Sequence, residues 1–115
     1  HGNRALEDAA LTQRIAKEGI ALTVCPLSNL KLCVVDDLKD HPMRKMLAAG
    51  LKATMNSDDP AYFGGYMNDN YASLIRNTNI SKEELFQLAE NGITGSWMAE
   101  DTKAMHLKHL NTLFA

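Results

Sequence analysis

Three short stretches hold most of the residues able to do chemistry: His1-Gly2-Asn3-Arg4, Cys25-Pro26-Leu27-Ser28-Asn29 and Asn56-Ser57-Asp58-Asp59-Pro60. The second and third each follow a short apolar run, where a strand would end and a loop begin. The adjacent carboxylates Asp58 and Asp59 are the most informative pair. At a strand end, one such acid can bind a hard or borderline cation through oxygen while its neighbour accepts a hydrogen bond from a substrate. Asp-Asp-Pro is equally ordinary turn and helix-start chemistry, because short acids accept hydrogen bonds from nearby backbone N–H groups. Beyond Pro60, Gly64-Gly65 lets the following loop lie close to whatever binds there.

The elements that must position these stretches alternate. Arg4 to Glu18 has helical composition, with Leu11, Ile15 and Ala16 at helical spacing and Gly19 as its C-cap. Ile20 to Cys25 is a near-continuous apolar run of strand length, suited to a parallel strand buried on both faces, and Pro26 ends it. Leu27 to Asp40 reads as a long connection. His41-Pro42 leads into a second helix with Pro42 in its first turn, Met43, Met46 and Leu47 on its apolar face, and Gly50 closing it. Leu51 to Met55 is the next strand. Ser81-Lys82-Glu83-Glu84 forms a capping box with Ile80 and Leu85 as its hydrophobic staple. Leu85, Leu88 and Ala89 continue that helix until Asn91-Gly92 stops it. A last helix runs from about Glu100 toward Phe114, with Leu107, Leu110 and Phe114 on one face.

Strands feeding helices through polar loops predict an α/β fold with parallel strands. A complete (β/α)8 barrel needs about 250 residues, more than the 115 present. If the strands belong to such a barrel, residues 1–115 are its C-terminal portion, and a further strand would end at His1. In a barrel, all three polar stretches gather at one face.

Composition narrows the function classes. With 45% apolar and 23% charged residues, the chain is of ordinary globular type. Its net charge of -2 is spread without a basic stripe, which disfavours a nucleic-acid partner. No apolar stretch approaches the ~20 residues of a membrane span. The first residue is His1 and not Met, so targeting is not legible from this end. Cys25 and Cys33 form no CxxC pair and read as reduced, cytosolic thiols, Cys25 in a packing role. His106 and His109 read as surface or packing residues, His41 as a residue leading into its helix, and Trp97 and the methionines as core. Tyr62, Phe63 and Tyr66 either pack their loop or wall a pocket.

Taken in order, His1-Gly2, then Cys25-Pro26-Leu27-Ser28-Asn29, then Asn56-Ser57-Asp58-Asp59-Pro60 resemble the adenosine/adenine deaminase family of zinc aminohydrolases. The longer wording is closer to its adenine deaminase branch: Cys25 to Leu32, His41-Pro42, and Asn56 through Ala61-Tyr62-Phe63-Gly64-Gly65-Tyr66. The likeness runs the length of the chain. It implies a (β/α)8 barrel with one catalytic Zn2+, hydrolytic deamination of adenine to hypoxanthine and ammonia in purine salvage, and a cytoplasmic location. The partner it implies is a small-molecule purine, with no nucleic acid and no membrane; homo-oligomer formation stays open.

On this resemblance Asp58 is a zinc ligand, Asp59 binds substrate by accepting a hydrogen bond near purine N7, and His1 is the catalytic histidine that helps deprotonate and orient the attacking water. Asn56 and Ser57 shape the strand-end turn, and Ser28-Asn29 orders its loop, with a substrate contact open. The family's His-x-His pair, third zinc histidine and catalytic glutamate have no counterpart here; in the family they lie upstream of the position of His1. The resemblance therefore implies that this chain alone binds zinc poorly and shows no turnover. Adenosine or an N6-substituted adenine as substrate, a catalytically dead barrel remnant, and a stand-alone α/β binding module are the competing readings.

Overall fold

The computed structural model describes all residues from His1 to Ala115. Two short strands, β1 (Ala21–Val24) and β2 (Lys52–Met55), pair in parallel with Ala21 opposite Lys52 and Val24 opposite Met55. Seven helices surround them: α1 (Ala9–Glu18), α2 (Pro26–Lys31), α3 (Met43–Ala48), α4 (Pro60–Phe63), α5 (Met67–Asn77), α6 (Lys82–Thr94) and α7 (Glu100–Phe114). This is the α/β alternation with parallel strands that the sequence predicts. Because the strands are parallel, their C-terminal ends lie side by side, and the loops after Val24 and Met55 meet at one edge.

Several boundaries move for local reasons. The helix expected from Arg4 starts only at Ala9. Asp8 adopts an extended backbone, and its carboxylate accepts the Leu11 N–H at 3.0 Å, which makes it the N-cap; residues 5–7 form a separate 3-10 turn. Gly19 closes α1 at φ 66°, as expected. The connection expected from Leu27 to Asp40 is partly helical, because Pro26 does more than end β1: it occupies the first turn of α2. A 3-10 turn at Leu38–Asp40 then precedes α3.

Helix α6 also departs from expectation. Its capping box is present, with the Glu84 N–H on Ser81 Oγ at 3.1 Å and the Ser81 N–H on the Glu84 carboxylate at 2.7 Å. Asn91-Gly92, however, does not stop it. Asn91 is buried, and its Nδ2 donates to the Ala53 carbonyl of β2 at 2.9 Å, so the residue ties helix to strand while the helix runs on to Thr94. At Gly95 a Cβ would lie 2.8 Å from that of Ala21 and 2.9 Å from the Asn91 carbonyl, so only glycine lets this helix end approach β1 so closely.

The core gathers Val24, Leu51, Ala53 and Met55 from around the strands with Met43, Met46 and Leu47 of α3, Leu74 of α5 and Leu88 of α6. Helix α7 rests on α6, where the Phe86 and Phe114 rings meet edge to face at 5.3 Å. Trp97 corrects the sequence reading: it is fully exposed in the α6–α7 turn and contributes nothing to this core. The methionines divide, with Met43, Met46 and Met55 buried and Met67 and Met105 exposed. His106 and His109 lie exposed on α7.

Candidate functional site

The site grows from the end of β2. The Asn56 N–H donates to the Val24 carbonyl at 2.9 Å, which extends the strand pairing by one rung. Asn56 Nδ2 donates to Thr54 Oγ1 at 2.8 Å, and that hydroxyl donates to the Leu22 carbonyl of β1 at 3.0 Å. Both strand ends are thereby held before the chain turns at Asp58.

Asp58 sits in the left-handed region at φ 58°, one of only two non-glycine residues with positive φ. Aspartate tolerates this conformation better than most side chains, and such outliers collect where a function over-determines the backbone. The turn aims the Asp58 carboxylate across at the loop after β1, where Ser28 Oγ donates to Oδ2 at 2.7 Å. Ser28 is fully buried, so this hydroxyl has no water competing for it. His1 Nε2 lies 3.4 Å from the same oxygen, longer than a direct N–H···O hydrogen bond.

The neighbouring Asp59 faces another way. Its Oδ1 accepts the Tyr62 N–H at 3.1 Å and caps α4, so the helix-start reading of Asp-Asp-Pro is realised at this residue. The side chain is exposed, and its second oxygen carries no bond to the protein. Tyr62 and Tyr66 are exposed, and Tyr62 meets Phe63 edge to face at 4.9 Å, so this part of the loop packs on itself.

Behind His1 lies a chain of buried polar groups. Asn29 Nδ2 is 3.2 Å from His1 Nδ1, Asn29 Oδ1 is 3.0 Å from His41 Nε2, and the Met43 N–H donates to His41 Nδ1 at 3.1 Å. Burial lowers the His41 pKa from 6.5 to about 4, which keeps the ring neutral. His41 does lead into α3, as the sequence suggests, but it also reaches the site, which the sequence reading does not anticipate. Twelve residues separate His41 from Asn29, so no local spacing signals their contact.

Cys25 is the other addition. Its Sγ lies 3.9 Å from His1 Nε2, and His1, Cys25 and Asp58 bring their donor atoms within 4.8 Å of one another. Burial, and then the Asp58 charge, raise the Cys25 pKa, and its S–H donates to the Thr23 carbonyl at 3.3 Å. The Cys25 side chain is buried and committed to that carbonyl, whereas the Asp58 carboxylate is open to solvent. The donor set thus fits a metal through Asp58: one oxygen is oriented by Ser28, and the other has no protein partner. An oxygen ligand steadied by an outer hydrogen bond is what zinc sites use. A cavity of about 550 Å³ opens at His1 and Asn29, but neither acid lines it. The structure therefore brings His1, Asp58, Ser28, Asn29 and Cys25 together, while Asp59, next in the chain, is exposed and bonded to the start of α4.

Comparison with known proteins places the whole chain. Residues 1–113 match the family model described as adenosine deaminase. An adenine deaminase of Marinomonas sp. (strain MWYL1) is 71% identical over 115 residues, all of this chain and 34% of the relative. One from Sphingopyxis alaskensis is 58% identical over 107 residues, covering 93% of this chain and 31% of the relative. The crystal structure of an adenine deaminase from Arthrobacter aurescens superposes with a TM-score of 0.95 at 46% identity, over 98% of this chain and 35% of that one. An amidohydrolase from Burkhoderia ambifaria, solved with bound Zn, superposes with a TM-score of 0.85 at 32% identity, over 99% of this chain and 32% of that one. The chain spans about a third of the length of the curated relatives it matches. No helix is long and apolar enough to cross a membrane.

Proposed function

The chain belongs to the adenosine deaminase family, and on that premise we propose that residues 1–115 are the C-terminal portion of a (β/α)8 barrel whose complete form converts adenine to hypoxanthine and ammonia. The observation that carries this reading is the strand-end crevice. There Asp58 is held in a left-handed turn with one oxygen on Ser28, and His1 Nε2 faces that oxygen at 3.4 Å. The relatives named adenine deaminase, at up to 71% identity, support adenine over other purines.

In this reading water adds to C6 of the purine and the C6–N bond breaks, so the exocyclic nitrogen leaves as ammonia. When bound, zinc would supply Lewis acidity, which brings the pKa of water down to about 7. Asp58 would hold the metal, and the Ser28 hydroxyl on Oδ2 would fix its carboxylate plane. His1 presents Nε2 to the reacting centre, where it engages the attacking water. Asp59 uses the oxygen not committed to Tyr62 to accept a hydrogen bond from the purine near N7. The remaining zinc ligands and the acid that protonates the ring come from outside residues 1–115. Purine salvage in the cytoplasm is the setting this reaction would serve.

The test is ammonia release from adenine and adenosine side by side, using the complete zinc-loaded protein. Faster release from adenine is the expected result. A preference for adenosine would keep the chemistry and replace the substrate, and release only from an N6-substituted adenine would do the same. No release and no bound zinc would leave a barrel remnant.

A further inference from the structure

The polar chain behind His1 has a direction, and that direction begins at a group unable to reverse. The Met43 backbone N–H donates to His41 Nδ1. A backbone amide is only ever a donor, so Nδ1 must be the bare nitrogen of a neutral ring and Nε2 must carry the proton. His41 Nε2–H then requires an acceptor 3.0 Å away, which fixes the Asn29 side chain with Oδ1 toward His41. The Asn29 amide nitrogen is left facing His1 Nδ1 at 3.2 Å. Asn29 is 1% exposed and His41 6%, so no solvent can stand in for either partner. His1 Nδ1 accordingly accepts, and the proton of the His1 ring lies on Nε2, the nitrogen that faces Asp58.

We infer that Asn29 and His41 are positioning residues that transmit the direction of the Met43 N–H to His1, so that His1 meets the reacting centre as a hydrogen-bond donor at Nε2. The catalytic consequence rests on the proposed function; the placement of the proton does not. A histidine that accepts a proton at Nε2 needs its own proton on Nδ1. Here that would set two N–H groups face to face, His1 Nδ1–H and Asn29 Nδ2–H. Turning the Asn29 amide moves the clash to His41, and turning the His41 tautomer moves it to Met43, where it stops at the backbone. His1 is thus held with its donor toward the centre. There it can orient the attacking water but not take its proton, against the deprotonating half of the role that the family resemblance implies. The protein neighbours of Nε2 are weak partners, Asp58 Oδ2 at 3.4 Å and the Cys25 sulfur at 3.9 Å, so that donor can turn to an oxygen arriving beside the carboxylate.

In this arrangement the same chain favours Asp58 over His1 as the metal ligand. Ligation uses a bare ring nitrogen. The bare nitrogen of His1 is Nδ1, which is turned inward to Asn29. Asp58 carries the ligand role, and His1 the donor role beside it.

Ring-nitrogen NMR of the complete zinc-bound protein, with 15N-labelled histidine, reads the tautomers directly. The expected spectrum has both His1 and His41 protonated at Nε2 and bare at Nδ1. In Asn29→Asp the carboxylate can only accept, so His1 should move its proton to Nδ1. Turnover of adenine should then fall roughly 10- to 100-fold in kcat, with a smaller change in KM, taking the range for outer partners of metal-site ligands as the guide. His41→Gln keeps an N–H toward Asn29 and should retain both the His1 tautomer and most of kcat. A wild-type His1 protonated at Nδ1, or one whose tautomer is the same in Asn29→Asp, overturns the inference. If Asn29→Asp does not fold, the wild-type spectrum and His41→Gln still decide it. A wild-type protein with the stated tautomers but no turnover of adenine would sink the proposed substrate and leave this inference standing.

Discussion

Acidification should destabilise this protein through the buried ring of His41, beyond what its carboxylates contribute. Burial lowers its pKa from 6.5 to about 4 in the folded state, whereas in the unfolded chain the ring titrates near 6.5. Between those values the unfolded state binds the proton and the folded state does not, so stability falls as pH falls. The contribution is complete above about pH 6.5, declines through the interval, and is gone below about pH 4. At about 1.4 kcal/mol per pH unit the loss amounts to roughly 3 kcal/mol. His41 is almost fully enclosed, with the Met43 N–H on one nitrogen and Asn29 Oδ1 on the other, so solvent screening does little to reduce this. The assay is urea unfolding followed by far-ultraviolet circular dichroism from pH 7.5 to 4, with His41→Gln as the reference. Glutamine does not titrate in this range, and carboxylates common to both proteins cancel in the difference. The wild-type midpoint should drop relative to the variant by on the order of 1 M urea across the interval. Parallel curves for the two proteins would show that His41 carries no such dependence.

Three further outcomes follow from single contacts. Asn91→Leu removes the donor to the buried Ala53 carbonyl and should cost about 1–3 kcal/mol, visible as a lower urea midpoint; an unchanged midpoint would mean that the helix–strand tie is worth nothing. Cys33 is exposed, whereas Cys25 is buried with its pKa raised by desolvation and by Asp58. A thiol reagent at pH 8 should therefore modify Cys33 long before Cys25, as read by peptide mass mapping, and equal rates would contradict the burial argument. Ser28→Ala deletes the hydroxyl on Asp58 Oδ2 and should weaken zinc binding by the complete protein roughly 10- to 100-fold in a chelator competition; wild-type affinity would show that Asp58 needs no such support.

The alternation of strands and helices is legible in the sequence because β1 and β2 are short apolar runs ended by Pro26 and by Asn56-Ser57. The capping box at Ser81 is legible because all of its hydrogen bonds are local. Helix α5 has no place in the sequence reading, and its inner face explains why. Asn70 and Ser73 are buried there beside Leu74, and Asn70 Oδ1 accepts the Leu27 N–H of α2 at 3.0 Å. Buried polar residues erase the apolar periodicity that marks a helix. Asn91 misleads for the same reason: a residue type that often ends helices is spent on a strand carbonyl. At the site, Asp58 and Asp59 stand out as a pair because both lie within one turn. Their different orientations do not, since the left-handed backbone of Asp58 and the capping bond of Asp59 depend on the fold. The Ser28–Asp58 bond and the Asn29–His41 contact span 30 and 12 residues, beyond any motif spacing.

The central claim is that the crevice between His1 and Asp58 is a zinc-centred reaction site. Anomalous diffraction at the zinc edge, on crystals of the complete protein, tests it most directly. One zinc per chain should be bonded to the Asp58 carboxylate, with His1 Nε2 facing the site but not ligating. Zinc bound away from Asp58, or crystals grown with zinc that hold none in this crevice, would contradict it.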